Sequence, residues 1–167
     1  MFITFEGIDG CGKTTQVKLL KTYFDSNQKE YISIREPGST NISEQIRNIL
    51  LDPENAELSP ESETLLFASA RAQIVDEIII PTINENKIVI CDRFTDSTIA
   101  YQGYGRKMDL LTLESINSFA TQQLVPDFTF FIDISIEESQ KRLTSSDLDR
   151  IESIGLSFFE SVRNGYL

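Results

Sequence analysis

The sequence predicts an α/β fold, a parallel sheet with helices on both faces, and three observations carry that prediction. Short β-branched and aromatic apolar runs alternate with longer stretches of helical periodicity along the whole chain, as in successive βαβ units. The first run, Phe2-Ile3-Thr4-Phe5, leads into Gly7-Ile8-Asp9-Gly10-Cys11-Gly12-Lys13-Thr14, a G-x-x-x-x-G-K-[ST] phosphate loop, which requires a strand before it and a helix after it. The residues that look chemical follow directly on strand candidates, where open parallel sheets bind their ligands.

Each element can be justified in turn. In the first loop the glycines let successive backbone N–H groups turn inward around phosphate oxygens. Lys13 is a cation for the β- and γ-phosphates, Thr14 offers a hydroxyl to Mg²⁺, and the N–H groups through Thr15 open the helix. The order G-x-x-G-x-G differs from the G-x-G-x-x-G of a dinucleotide fold and disfavours a nicotinamide or flavin oxidoreductase. Gln16 to Phe24 continues as helix, and Asp25-Ser26-Asn27-Gln28 ends it. Tyr31 to Ile34 alternates as a short strand and delivers Arg35-Glu36-Pro37-Gly38. Ile42, Ile46, Ile49 and Leu50 then repeat at helical spacing, with Asn41 or Ser43 as cap. A long helix begins near Glu61 and is bent or ended by Pro81. Lys87 to Cys91 reads as a strand buried on both faces, ending in Asp92-Arg93. Phe94 to Arg106 reads as helical or irregular and Leu110 to Leu124 as an amphipathic helix. Strand Phe128 to Ile134, helix Glu137 to Leu143 and a final helix from Ile151 to Tyr166 complete the pattern.

Composition narrows the function. The 167 residues carry 15 Lys and Arg against 26 Asp and Glu, a formal charge of −11, which disfavours nonspecific binding to nucleic acid or an anionic membrane. A phosphate substrate must therefore be held by a local cluster of cations. No apolar stretch approaches the ~20 residues that span a bilayer, and the first apolar run carries the phosphate loop instead of a signal sequence. Two cysteines, Cys11 and Cys91, suit a reducing compartment, and the cytoplasm is the expected location. With no histidine in the chain, chemistry must rest on carboxylates, cations and positioning.

Asp92, after its buried strand, is placed to hold Mg²⁺ opposite Thr14, although a strand-end carboxylate also caps turns. Arg93 suits a bidentate grip on a second phosphate-bearing molecule, or an ion pair with one of the many carboxylates. Phe67 and Arg71, four positions apart on the long helix, could stack on a base and read its carbonyl; the same spacing suits core packing and an ion pair. Tyr101 to Arg106 suits either a small-molecule pocket or a packed loop.

Together, Phe5 to Gln16, Arg35-Glu36-Pro37-Gly38, Leu65-Leu66-Phe67-Ala68 with Arg71, and Asp92-Arg93-Phe94 with Ser97, Ala100, Tyr101, Gln102 and Gly103 resemble the bacterial thymidylate kinases. Pro126-Asp127 and Leu148-Asp149-Arg150-Ile151-Glu152 fit the same family, and the resemblance covers nearly the whole chain. It implies a P-loop NTPase fold of the nucleoside-monophosphate-kinase kind, a single domain over residues 1–167 with a short lid around 142–150, and a helix-packed homodimer. It implies ATP- and Mg²⁺-dependent conversion of dTMP to dTDP. Transferred residue by residue, the resemblance gives Asp9 the sugar 3′-hydroxyl, Phe67 a stack on thymine, Arg71 a base carbonyl and Arg93 the acceptor phosphate. Tyr101 lies against the deoxyribose and excludes a 2′-hydroxyl, Ser97 and Gln102 line the same pocket, and Pro37 shapes the base side.

Two departures qualify the resemblance. The family's catalytic arginine comes from the phosphate loop or the lid; Ile8, Asp9, Gly10 and Cys11 include no base, so Arg142 and Arg150 are the candidates. Relatives also continue past the final helix with a strand and a helix; either this chain is short by nature or a tail follows Leu167, and a chain truly without that tail would have an exposed apolar sheet edge. The competing readings are a sister kinase with another acceptor, and a nucleotide-binding and dimerisation module weakened in catalysis.

Overall fold

A computed structural model describes residues 1–143 and 148–167. Four strands, β1 (Phe2–Glu6), β2 (Tyr31–Arg35), β3 (Ile88–Asp92) and β4 (Phe128–Phe131), form one parallel sheet in the order β2-β3-β1-β4. Every connection between them contains helix, as parallel pairing requires. From β1 the chain builds the sheet to one side and then places β4 on the other. The crevice at the carboxyl ends of β1 and β3 is therefore the topological switch point.

β1 is buried along its whole length and feeds both faces. Ile3 and Phe5 pack with Ile90 against Val17 and Phe24 of α1 (Lys13–Ser26). On the other face Phe2, Val89 and Cys91 pack with Ile74, Val75 and Ile79. Those last three lie on the long helix, which runs as α3 (Pro60–Ile74), a π-helical turn over Val75–Ile79, and α4 (Ile80–Asn84). Sequence periodicity places the bend at Pro81; the observed irregularity lies in the preceding turn, where the missing proline N–H interrupts the i to i−4 ladder.

α2 (Asn41–Leu51) is capped by Thr40, whose hydroxyl accepts from Ser43 N at 3.0 Å, not by Asn41 or Ser43 as expected. α5 (Thr95–Thr98) passes into a π-helical turn over Ile99–Gly105, which resolves the ambiguous segment after Arg93. α6 (Leu110–Thr121) packs on α3. α7 (Ile136–Arg142) precedes the expected lid, whose centre, 144–147, lies outside the described residues. The final helix α8 begins at Leu156 and not at Ile151, because Gly155, with φ +115°, forms its N-terminal boundary. Its Phe158, Phe159 and Val162 close a third core cluster with Ile8, Ala100 and Tyr101. Among the described residues β4 is the edge strand, with Phe128 and Phe130 about half exposed.

Candidate active site

The three strand-end segments are locked together by their backbones. Arg93 N donates to Phe5 O at 2.9 Å and Glu36 N to Asp92 O at 3.0 Å, so the phosphate loop, Arg35-Glu36-Pro37 and Asp92-Arg93 share one edge. Gly7 is required where it stands: its φ is +138°, and a Cβ would come within 2.5 Å of Ile132 O. α1 opens from Gly12 without a side-chain cap or an acidic first turn, leaving its N–H groups for an anion. Ile8 and Cys11 are buried and contribute backbone to this loop, Gly10 adopts φ +73°, and Thr14 and Thr15 are exposed at its exit.

Lys13 is buried, and its Nζ donates to Gly7 O and Ile8 O, both at 2.9 Å. Burial, and then the nearby Arg93, hold its pKa below the usual lysine value. Arg93 Nη1 donates to the same Gly7 O at 2.8 Å. Two cations, one opening α1 and the other following β3, thus converge on one carbonyl oxygen. Arg93 has a left-handed backbone (φ +73°), and its Nη2 pairs with Asp9 Oδ1 and lies 3.1 Å from Tyr101 Oη. Tyr101 Oη donates in turn to Asp9 Oδ2 at 2.9 Å. Burial alone raises the Asp9 pKa, but Arg93 and then Lys13 outweigh it and keep the carboxyl below its ordinary range. Thr14 Oγ1 lies 3.5 Å from Asp92 Oδ2, beside this group.

A cleft opens from Arg93 along α3. Asp9, Pro37, Phe67, Arg71, Ser97, Tyr101 and Gln102 all line it. Three of these side chains also have partners that the sequence does not announce. Arg71 is 2 % exposed and donates to Glu36 (2.7 Å), Thr98 and Asn117 (2.7 Å each) and Phe94 O (2.8 Å). Of its five N–H groups, one on Nη2 has no acceptor among the described residues. Gln102 donates to Glu63 at 3.0 Å, and Ser97 to Glu6 at 2.6 Å.

The two lid arginines separate. Arg142, exposed at the end of α7, reaches Gly10 O at 3.3 Å. Arg150 is buried: its Nε donates to Leu50 O at 2.7 Å, and Nη2 forms an ion pair with Glu63 at 2.7 Å, too poorly aligned to be a hydrogen bond. Of the two candidates for the lid arginine, Arg150 is thus the one engaged inside the protein. Held by Leu50 O on α2 and by Glu63 on α3, it fastens the chain after the lid to both helices.

The thymidylate kinase family model matches residues 5–167. The chain belongs to the thymidylate kinase family. It is 49 % identical to the thymidylate kinase of Chlorobium phaeobacteroides over 99 % of this chain and 80 % of that protein. Identity to the thymidylate kinase of Kosmotoga olearia is also 49 %, over the whole chain and 80 % of that protein. The crystal structure of the Ehrlichia chaffeensis thymidylate kinase superposes with a TM-score of 0.81 at 39 % identity, covering 99 % of this chain and 83 % of that one.

Within this thymidylate kinase fold, Arg47 and Asp149 also line the cleft; Asp149 lies in the family-like 148–152 stretch without standing out in it, and Arg47 is in no motif. Arg47 sits on amphipathic α2 among polar residues and reads as solvated; the fold turns it inward, where Nη1 donates to Pro37 O at 2.9 Å. Glu63 reads as one of many helix carboxylates, yet it is 1 % exposed and pairs with both Arg106 and Arg150. An acidic residue within one turn of an apolar helix face is the available signal, and it is weak.

Proposed function

We propose that this chain transfers the terminal phosphoryl group of ATP to dTMP, releasing ADP and dTDP. The observation that carries the reading is the meeting of Lys13 and Arg93 at Gly7 O, at 2.9 and 2.8 Å, because phosphoryl transfer needs two anions brought into line in one cleft. The N–H groups of Gly10, Gly12, Lys13 and Thr14 and the Lys13 ammonium hold the donor phosphates, while Cys11 and Thr15 N–H close the loop on Ile8 O and Gly12 O. Arg93, with Arg47 across the same cleft, holds the acceptor phosphate. Asp9, fixed by Arg93 and Tyr101, receives the sugar 3′-hydroxyl, and the Tyr101 ring fills the place of a 2′-hydroxyl. Phe67 stacks on thymine, while Pro37, Ser97 and Gln102 complete the wall. The unpartnered Arg71 N–H donates to a base carbonyl. Arg142, beside Gly10, is the lid arginine that meets the charge developing between the two phosphates.

Thr14 and Asp92 fit Mg²⁺: a hydroxyl and a carboxylate lie side by side at the strand tip, both hard oxygen donors. Among the described residues no group of three or more His, Cys, Asp or Glu forms a protein cage, which suits an ion sharing its shell with phosphates and water. When bound there, Mg²⁺ neutralises phosphate charge.

The enzyme is further read as a cytoplasmic homodimer of one domain over 1–167. Leu65, Leu111 and Phe119 are 57, 72 and 87 % exposed, and α3 and α6 form an apolar groove beside Leu65 and Phe119, a face suited to a second copy. No described helix is long and apolar enough to cross a membrane.

A coupled ADP-release assay over dTMP, dUMP, UMP, CMP and AMP tests the reading. dTMP should turn over fastest, dUMP more slowly and the rest hardly at all. Preference for another acceptor moves the chain to a sister activity, and binding of dTMP and ATP without ADP release defeats the proposal.

A further inference from the structure

Tyr166 of α8 lies far from the cation cluster in sequence, yet its hydroxyl reaches it. Oη is 3.2 Å from Arg93 Nη1, 2.8 Å from Ser97 Oγ and 3.1 Å from Glu6 Oε2. Glu6, the last residue of β1, is 1 % exposed and carries no salt bridge among the described residues. Phe94 N donates to its Oε1 at 2.6 Å, and Ser97 Oγ donates to Oε2 at 2.6 Å.

Proton accounting gives this group a direction. A hydroxyl has one hydrogen and two lone pairs. Ser97 gives its hydrogen to Glu6, so its oxygen can only accept from Arg93, at 3.3 Å, and from Tyr166. Tyr166 gives its hydrogen to Ser97 or to Glu6, and in either case its lone pairs are left for Arg93. The buried carboxylate thus orients two hydroxyls whose oxygens both face Arg93 Nη1; with one of its N–H groups given to Gly7 O, Nη1 shares the other between them, Tyr166 being the nearer at 3.2 Å.

The surrounding backbone explains why such support is needed. Arg93 holds a left-handed conformation that is unfavourable for a side chain with a Cβ. Its own N–H is tied to Phe5 O and the next one to Glu6, so β1 fixes the strained turn from both sides. Gly7 O, Asp9 and Tyr101 hold the guanidinium on one side, and the Tyr166 hydroxyl, on a ring that is itself held, adds an acceptor at Nη1. The ring stacks on Phe131, with ring centroids 5.2 Å apart and planes at 23°.

We propose that Tyr166 is a positioning residue for Arg93: oriented by Glu6 and Ser97, it aims the guanidinium at the acceptor phosphate. This rests on the reading of Arg93 as the acceptor-phosphate grip. The role differs from packing in what it predicts, because aiming Arg93 affects only the part of the ligand that carries the phosphate.

Calorimetric titration of dTMP and of thymidine into wild type, Tyr166→Phe and Arg93→Met separates the possibilities. The phenylalanine ring preserves the stack on Phe131 and removes only the hydroxyl. The expected result is a loss of about tenfold in dTMP affinity in Tyr166→Phe, the scale of one hydrogen bond to a charged group, with thymidine affinity within about twofold of wild type. An unchanged dTMP-to-thymidine ratio, whether both ligands weaken together or neither does, overturns the inference while leaving Arg93 in place. If Arg93→Met retains the wild-type preference for dTMP, the reading of Arg93 itself fails and the inference falls with it. Should Tyr166→Phe not accumulate as folded protein, Glu6→Asp withdraws the carboxylate from both hydroxyls at constant charge. That variant must show the same selective loss, and an unchanged ratio there also overturns the inference.

Discussion

Replacing Arg71 by lysine keeps the positive charge but should damage both the fold and the pocket. The guanidinium donates to four acceptors on separate parts of the chain: Glu36, Thr98, Asn117 and the Phe94 carbonyl, all within 2.8 Å. An ammonium has three N–H groups on one atom and cannot reproduce that fork, so at least one buried acceptor loses its partner, at about 1–3 kcal/mol. The Glu36 ion pair, with both side chains at most 5 % exposed, is loosened as well. Removing one partner of a buried pair outright costs about 3–5 kcal/mol, and the retained charge points to the lower end, about 3 kcal/mol. For a chain of this size that is a fall of about 6–12 °C in the unfolding midpoint. Scanning calorimetry without ligand measures it, and a dTMP titration on the same sample should show weakened binding. A midpoint within 2 °C of wild type would refute the assignment of Arg71 as the buried fork that joins β2, α3, α5 and α6.

Other outcomes follow from the same geometry. Arg142→Met should lower kcat by at least about 10² while leaving the unfolding midpoint unchanged, whereas Arg150→Met should lower the midpoint by several degrees; steady-state kinetics and thermal unfolding compare the two. The Glu36 pKa is pushed by burial from 4.5 to about 7, against the pull of Arg71. Between those values the folded chain holds a proton that the unfolded chain has released, so this contribution is complete below the lower value and is lost as pH rises through 7. Stability measured at pH 5 and pH 8 should fall across that interval by on the order of 3 kcal/mol more in wild type than in Glu36→Gln. Phe119→Glu places a charge on the exposed α3 and α6 face and should shift sedimentation from dimer to monomer.

The elements legible in the sequence are those whose cause is local. β1, β3 and the phosphate loop follow from apolar runs and glycine spacing within a few residues, and α1 from its periodicity. That Lys13, Asp92 and Arg93 lie close together is legible for the same reason, since parallel topology brings the loops that follow the strands to one edge of the sheet. What could not be read depends on distant partners. Arg150 and Arg142 look alike in sequence, and only the burial of Glu63 on α3 distinguishes them. Arg47 turns inward because α2 packs on α3. The start of the last helix was displaced because turn geometry after Asp149, whose Oδ1 accepts from Ile151 and Glu152 N–H at 2.8 Å, competes with helix over residues of similar periodicity.

One ligand probes the central claim, that both phosphate grips serve a single cleft: adenosine and thymidine joined through their 5′ oxygens by a bridge of phosphates. In competition titrations it should bind one molecule per chain and be displaced both by ATP and by dTMP. Displacement by only one of them, or two bridged molecules bound per chain, would put Lys13 and Arg93 in separate sites.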